Sequence, residues 1–307
     1  ITLSYSNGSM IKENTFINQH NPRGEYYSAC GLHLWSCENT TVMSNDFYHN
    51  GIFIHGDTIE SWTTHSIDEN QANNQPIYYF KNQVGSQFSS NLNAAQLILA
   101  NCSDCVIENL ELHNVSVALQ LGFSSDNILS ENRITHAGSS MYLEHSDDNL
   151  IEYNQIQQSS DKGVWLRASD NNQIIGNTIA TSETGIFQQV HSSNCEINHN
   201  IIKENGEGIN CVSSWSATIE KNTIQENEKG VFLMSCYEFR IQQNNFLENT
   251  VHAEDSTENN HWDNNYWDDW IGFKIPFLVF IPYMVKGMFL TNFDWHPASE
   301  PFEIGGE

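Results

Sequence analysis

The chain has 307 residues, and 38 of them are asparagine, several times the usage of an ordinary globular protein. Twelve Lys+Arg against 38 Asp+Glu set a net charge of −26. That excludes a nucleic-acid binder, because phosphate neutralisation needs clustered Lys and Arg. No apolar run reaches the roughly 18 residues that a membrane span requires. The nearest, Ile275 to Leu290, is broken by Pro276, Pro282 and Lys286. The first residue is Ile1, without an initiator Met or a signal-like segment, which is expected of a processed or truncated product.

Read in chain order, one phrase recurs: apolar-x-x-Asn-x-apolar. It appears as IKENTF at Asn14, VMSNDF at Asn45 and LSENRI at Asn132. It continues at Asn154, Asn177, Asn200, Asn222, Asn244 and Asn265, in steps of 22, 23, 23, 22, 22 and 21. Stepping back from Asn132 places Leu110 and then His65 in the same column. The longer step from Asn14 to Asn45 predicts one period plus an insertion around NPRGEYYSA. Eight residues before each of these asparagines, and before Leu110, stands a small residue with an OH or SH: Ser6, Cys37, Cys102, Ser124, Ser146, Ser169, Ser192, Ser214, Cys236, Thr257.

A unit of about 22 residues is too short for two helices, and period-2 apolar pairs separated by Gly or Asn read as short strands joined by turns. Each unit then forms one coil of a parallel β-helix stacked at about 4.8 Å, and a dozen coils give a rod roughly 55–60 Å long. Ile151, Ile156, Val164 and Leu166 point inward. Asn is expected in the turns, where it tolerates left-handed backbone, with its side chains laddered from coil to coil. The fold class is all-β, with the β-helix over residues 1–270 and a Phe-, Pro- and Trp-rich segment over 271–307 capping the last coil. A membrane-contacting role is the alternative for that segment.

The seven cysteines include one CxxC pair, Cys102 and Cys105, without the second pair that zinc would want. Cys37, Cys102 and Cys236 fall in the small-residue column and Cys211 in the inward apolar column, so all four are expected to be structural.

At this point the sequence resembles right-handed parallel β-helix proteins with NosD-like repeats, within the wider class of carbohydrate-binding proteins and sugar hydrolases. Besides the repeat, THSIDENQANNQPIYYFKNQVG, QLILANCSDCVIENLEL, NNYWDDWIGF and FDWHPASEPFEI are similar to signatures of secreted archaeal members. That group spans lyases, hydrolases, epimerases, structural surface proteins and a periplasmic copper-delivery factor. The 13 His and 6 Met are scattered, without the clustered soft ligands that copper(I) favours.

Strand alternation places Tyr142, Trp165 and Phe187 in one outward row, with Glu144 and Arg167 two residues on and His145 and His191 beyond. Flat aromatics beside charged hydrogen-bonding groups suit sugar rings, so these seven residues are the expected carbohydrate face unless another subunit or an N-terminal segment covers them. Asp126, Asp147, Asp148 and Asp170 form an acidic row before the repeat Asn. Such a row is a solvated ridge or a site for Ca²⁺ through oxygen ligands. Sequons at Asn7, Asn39, Asn101 and Asn114 are candidate glycosylation sites.

The leading expectation is a secreted or cell-surface protein that binds polysaccharide or associates with copies of itself as an oligomer or filament. The alternative is a polysaccharide lyase, hydrolase or epimerase acting on the outward face.

Overall fold

A computed structural model describes residues 1–17, 30–272, 281–287 and 291–304. The insertion expected around residues 21–29 lies outside them, as does most of the apolar run that begins at Ile275. The fold is a parallel β-solenoid of about eleven turns. One sheet of 14 strands carries the long strands, such as Ser139–Glu144, Lys162–Arg167 and Thr184–Gln189. A nine-stranded and an eight-stranded sheet carry three-residue strands such as Leu150–Glu152 and Gln155–Gln157.

Neighbouring coils are in register, so like residues stack on like: Ile151 on Ile174, Ile156 on Ile179, Val164 on Ile186. All six are fully buried, and each such side chain contributes roughly 1.5–3 kcal/mol relative to exposure. Glycine opens the long strands for a steric reason: a Cβ on Gly185 would lie 2.6 Å from the Gly208 carbonyl oxygen of the next coil.

The repeat asparagines do ladder, but not as turn residues. The left-handed position is the one before each of them, as in Glu131 (φ 54°), Tyr153 (φ 53°) and His199 (φ 55°). The Asn itself turns inward and is buried. Asn177 Nδ2 donates to Ile151 O at 2.8 Å and to Asn200 Oδ1 at 3.0 Å. Its own Oδ1 accepts from Asn154 N at 2.8 Å and Nδ2 at 2.9 Å. The side chain thus satisfies buried backbone polar groups that the strand corners leave without a ladder partner. The small-residue column works the same way, Ser146 Oγ accepting Ser124 N–H at 3.0 Å.

Two features depart from a single regular series. The first three coils form their own stack, with Ile52–His55 as the last of three parallel strands. It joins the main body through an antiparallel step between Gln71–Ala72 and Gln75–Pro76. Asn73 (φ 50°) and Asn74 (φ 64°) supply the two consecutive left-handed residues of a tight hairpin turn. His65 is not in the repeat column either. Asn70 is, accepting Asn45 Nδ2 at 2.9 Å, because the helix Glu60–Thr63 lengthens that coil.

Beyond Gly272 the hairpin of Tyr283–Lys286 and Thr291–Asp294 closes the far end. Asp294 takes the place of the next asparagine, accepting from Asn265 N at 2.9 Å and Nδ2 at 3.0 Å.

Candidate functional site

The long strands bring Tyr142, Trp165 and Phe187 into register, as alternation requires. Tyr142 and Trp165 meet edge-on at 4.7 Å, and Trp165 and Phe187 lie 6.2 Å apart. This row is not open to solvent: Tyr142 is 0% exposed, Trp165 2% and Phe187 8%. Strand Ile52–His55 of the N-terminal stack lies across it, with Phe53 packed on Tyr142 at 5.1 Å. A strand at the end of a stack leaves every second N–H without a partner. Here side chains of the outward face supply acceptors. Ile52 N–H donates to Gln96 Oε1 at 3.0 Å, Ile54 N–H to Gln120 Oε1 at 3.0 Å, and Gly56 N–H to Glu144 Oε2 at 2.9 Å. The expected sugar face is therefore corrected to an internal interface between two stacks.

Glu144 anchors that interface. Its Oε2 also accepts Trp62 Nε1–H at 3.1 Å, and its Oε1 lies 2.6 Å from Arg167 Nη1 and 2.9 Å from His55 Nδ1. Trp62 seats here because residue 122 is glycine; a Cβ there would collide with the indole. Arg167 reaches Asp57 Oδ1 at 2.7 Å as well, and His145 Nε2 lies 3.5 Å from the same oxygen. The Arg167 hydrogen bond holds the Asp57 carboxyl below its usual range. Asp57, Glu144 and His145 bring three ligand atoms within 4.8 Å of one another. The Arg167 guanidinium occupies the place between the carboxylates that a cation would need. The cluster clasps the two stacks together.

Among the described residues one other group has three such atoms: His252, Asp268 and Asp269. His252 Nε2 lies 2.8 Å from Asp268 and 3.4 Å from Asp269. The Asn ladder fixes the Asn249 amide, whose Oδ1 accepts from Asn227, so its NH₂ faces His252 Nδ1 at 3.2 Å. Nδ1 must accept, Nε2 carries the proton, and no lone pair there is left for a metal. Neither group offers soft ligands, so the residues present do not fit copper(I).

Asp126, Asp147, Asp148 and Asp170 do not form such a group. Asp126 and Asp148 occupy left-handed turn positions (φ 60° and 57°), where Asp is tolerated for backbone reasons. Asp147 Oδ1 accepts Asp170 N–H at 2.7 Å, and Asp170 Oδ1 accepts Ser193 N–H at 2.6 Å. Burial raises the Asp147 pKa. The sequon residues Asn7, Asn39 and Asn101 are exposed and Asn114 half-buried; Asn39 Nδ2 donates to Asn7 Oδ1 at 3.1 Å on the neighbouring coil.

His191 alone of the expected sugar face is exposed. It stacks on Trp215 at 4.6 Å with an interplanar angle of 15°, and Trp215 is followed one coil on by Tyr237 at 6.4 Å and 19°. Trp215 and Tyr237 are 37% and 40% exposed. They hold the turn position that Asp170 and Ser193 hold on earlier coils. One residue further along each coil, Ser216 and Glu238 are hydrogen-bonded at 3.1 Å. They wall an open groove of about 700 Å³, also lined by Thr218, Arg240, Gln242 and His261. Strand alternation does not reveal this strip, because it lies in a turn; aligning the small-residue column and reading one residue on would have shown it.

The ladders and stacked sheets define a parallel β-helix protein. Residues 79–219 match the family model of the right handed beta helix region, and residues 189–272 match that of the periplasmic copper-binding protein (NosD). The fold is a right-handed parallel β-helix, with NosD-like sequence over residues 189–272. No curated protein matches the sequence.

Among solved structures, an alginate lyase in complex with a trisaccharide is similar at 12% identity and a TM-score of 0.48, over 97% of this chain and 83% of that one. The tailspike protein of E. coli bacteriophage HK620 in complex with pentasaccharide is similar at 12% identity and 0.44, over 78% and 54%. An Azotobacter vinelandii mannuronan C-5 epimerase module is similar at 11% identity and 0.32, over 97% and 90%. The chain spans 39% of a XylC chain solved with xylose and 58% of the Dettilon tailspike protein.

Proposed function

We propose that this protein works outside the cytoplasm and binds a neutral polysaccharide along the His191–Trp215–Tyr237 strip and the groove beside it. The observation that carries this reading is a row of partly exposed aromatic side chains, one per coil, running beside a groove lined with hydrogen-bonding groups, an amphipathic edge of the kind a chain of sugars contacts. Ser216, Thr218, Glu238, Arg240 and Gln242 supply donors and acceptors for hydroxyls along the same edge. A net charge of −26 works against uronate polymers, whose like charge a surface with few cations would repel. The family's copper is not carried over, for want of fitting ligands. A hydrolase or lyase reading is not favoured, since both Glu144 oxygens already accept hydrogen bonds in a buried clasp.

Affinity electrophoresis against neutral glucans, xylans and mannans, with alginate as the anionic control, tests the reading. Retardation by a neutral polymer is expected, with about tenfold weaker binding in Trp215→Ala and in Tyr237→Ala. Binding that survives both substitutions, or preference for alginate, would sink it.

A further inference from the structure

The turn ridge that carries Trp215 and Tyr237 runs on through the earlier coils. Backbone bonds fix its course: Asp126 N–H donates to Asp147 O, Asp148 to Asp170 O, Asn171 to Ser193 O and Asn194 to Trp215 O, each one coil further on. Two residues earlier on each coil, a parallel column passes through Asn82, Asn101, Phe123, His145 and Ala168, all left-handed, and reaches Val190 and His191. Phe123 and His145, both half-buried, stack at 4.8 Å with an interplanar angle of 20°. Beside Phe123 opens a pocket of about 420 Å³, lined by Asn82, Val84, Asn101, Ser103 and Ser125. The solenoid does not call for these two rings: Asn fills the position on the two preceding coils and Ala on the next one.

We propose that the polysaccharide site runs the length of this ridge, from the groove beside Tyr237 to a second subsite at Phe123 and His145. The inference rests on the sugar reading of the Trp215 strip, and it makes the ligand a neutral chain lying along the solenoid axis. Five coil steps separate Phe123 from Tyr237, about 24 Å at strand spacing. A sugar in an extended chain is about as long as one coil is thick, so roughly six sugars span the ridge. At the Phe123 end the rings offer apolar contact, and Asn82, Asn101, Ser103 and Ser125 offer donors and acceptors for hydroxyls. Midway, Ala168 projects least, and the half-buried Asp147 and Asp170 accept from hydroxyls while repelling uronate carboxylates. Two subsites on one chain act as linked contacts, so affinity rises with chain length once the ligand reaches both.

Isothermal titration calorimetry with cello-, xylo- and manno-oligosaccharides, each as a trisaccharide and a hexasaccharide, tests this on the full chain. In the class that binds, the hexasaccharide should bind about tenfold tighter or more than the trisaccharide. The trisaccharide settles on the three-ring strip, so Trp215→Ala should weaken both lengths. Phe123→Asn places in that turn the residue of the two preceding coils. It should weaken the hexasaccharide about fivefold and leave the trisaccharide and the urea midpoint unchanged. Tyr153→Ala, which removes an exposed ring on a different turn, should change neither length. Equal affinity for the two lengths, a hexasaccharide unaffected by Phe123→Asn, or equal loss for both lengths in that variant would each overturn the second subsite. In those cases weakening by Trp215→Ala would leave the strip in place. Binding of no neutral oligosaccharide or polymer would overturn both readings.

Discussion

Glu144 accepts the backbone N–H of Gly56 at 2.9 Å, tying the last coil of the N-terminal stack to the outward face of the main body. The residues are 88 apart in sequence, and the bond closes a series of three in which Gln96, Gln120 and Glu144 stand in for the strand that would otherwise come next. What alternation presents as an open row is a docking surface for an edge strand.

Glu144→Ala should therefore destabilise the protein by about 3–5 kcal/mol, because it leaves Arg167 without its buried partner and the Gly56 N–H without an acceptor, the Trp62 indole N–H keeping only the Gly56 carbonyl at 3.2 Å. Urea denaturation gives the magnitude. Hydrogen exchange at Ile54 and Gly56 should show protection lost there first, with the Asn177 region unaffected. Equal protection in wild type and variant at those two amides would contradict the clasp.

Inside the main body, Asn177→Ala removes a side chain that donates to Ile151 O and Asn200 Oδ1 and accepts from Asn154. Several buried polar groups lose partners at once, and each costs about 1–3 kcal/mol. The loss should reach about 3 kcal/mol or more, against well under 1 kcal/mol for Asn14→Ala, whose side chain is exposed on the first coil. Comparison of the two denaturation midpoints checks the ladder directly.

The coils were legible in the sequence because each asparagine is bound to the next, so the spacing of Asn132, Asn154 and Asn177 is a physical requirement of the stack. The sequence pointed to the end of the repeat only through a change of composition after Ile271; that the last Asn finds its acceptor in Asp294 was not legible, because an Asp outside the repeat spacing carries no such mark. The break into two stacks was not, since Asn73–Asn74 looks like any other Asn-rich turn until φ is known. The burial of Tyr142 and Trp165 was not legible either. A row that faces outward from its own sheet says nothing of a strand arriving from residues 52–55. His191 was in the expected set, but its partners Trp215 and Tyr237 sit in turn positions where sequence alternation gives no direction.

The cysteines separate two kinds of column. Cys236 occupies the small-residue column, its Sγ directed at the Cys211 carbonyl at 3.1 Å, so Cys236→Ser should change stability by under about 1 kcal/mol. Cys211 is fully buried between Gln188 and Leu233, with Gln188 Oε1 3.9 Å from its Sγ, so Cys211→Ser buries a hydroxyl with one distant acceptor and should cost about 1–3 kcal/mol. Burial pushes the Cys195 and Cys236 thiols up to about 12. Neither should react with a thiol reagent at neutral pH until the chain unfolds, which timed labelling with mass analysis would show.

Acid should loosen the N-terminal stack through two buried histidines. His65 Nδ1 accepts Thr40 N–H at 3.2 Å, and Nε2 lies 2.8 Å from Ser61 O, a pattern only the neutral ring satisfies. Burial lowers its pKa from 6.5 to about 4, with the Ser61 carbonyl opposing and Lys81 adding to the shift. Burial likewise lowers His33 to about 4, with His55 adding and Glu144 opposing. Both groups bind fewer protons folded than unfolded, so their contribution is complete above pH 6.5 and is lost as pH falls from there to about 4. Each amounts to about 3 kcal/mol at most. His65→Asn places in that turn the residue used on later coils, where Asn127 Oδ1 accepts Cys105 N–H at 3.0 Å. The variant should match wild type at pH 7.5 to within about 1 kcal/mol. Between pH 6.5 and 4 it should lose roughly half as much stability, since His33 alone still titrates. Urea midpoints across that range decide the matter, and parallel curves for the two proteins would rule out His65 as an acid-sensitive group.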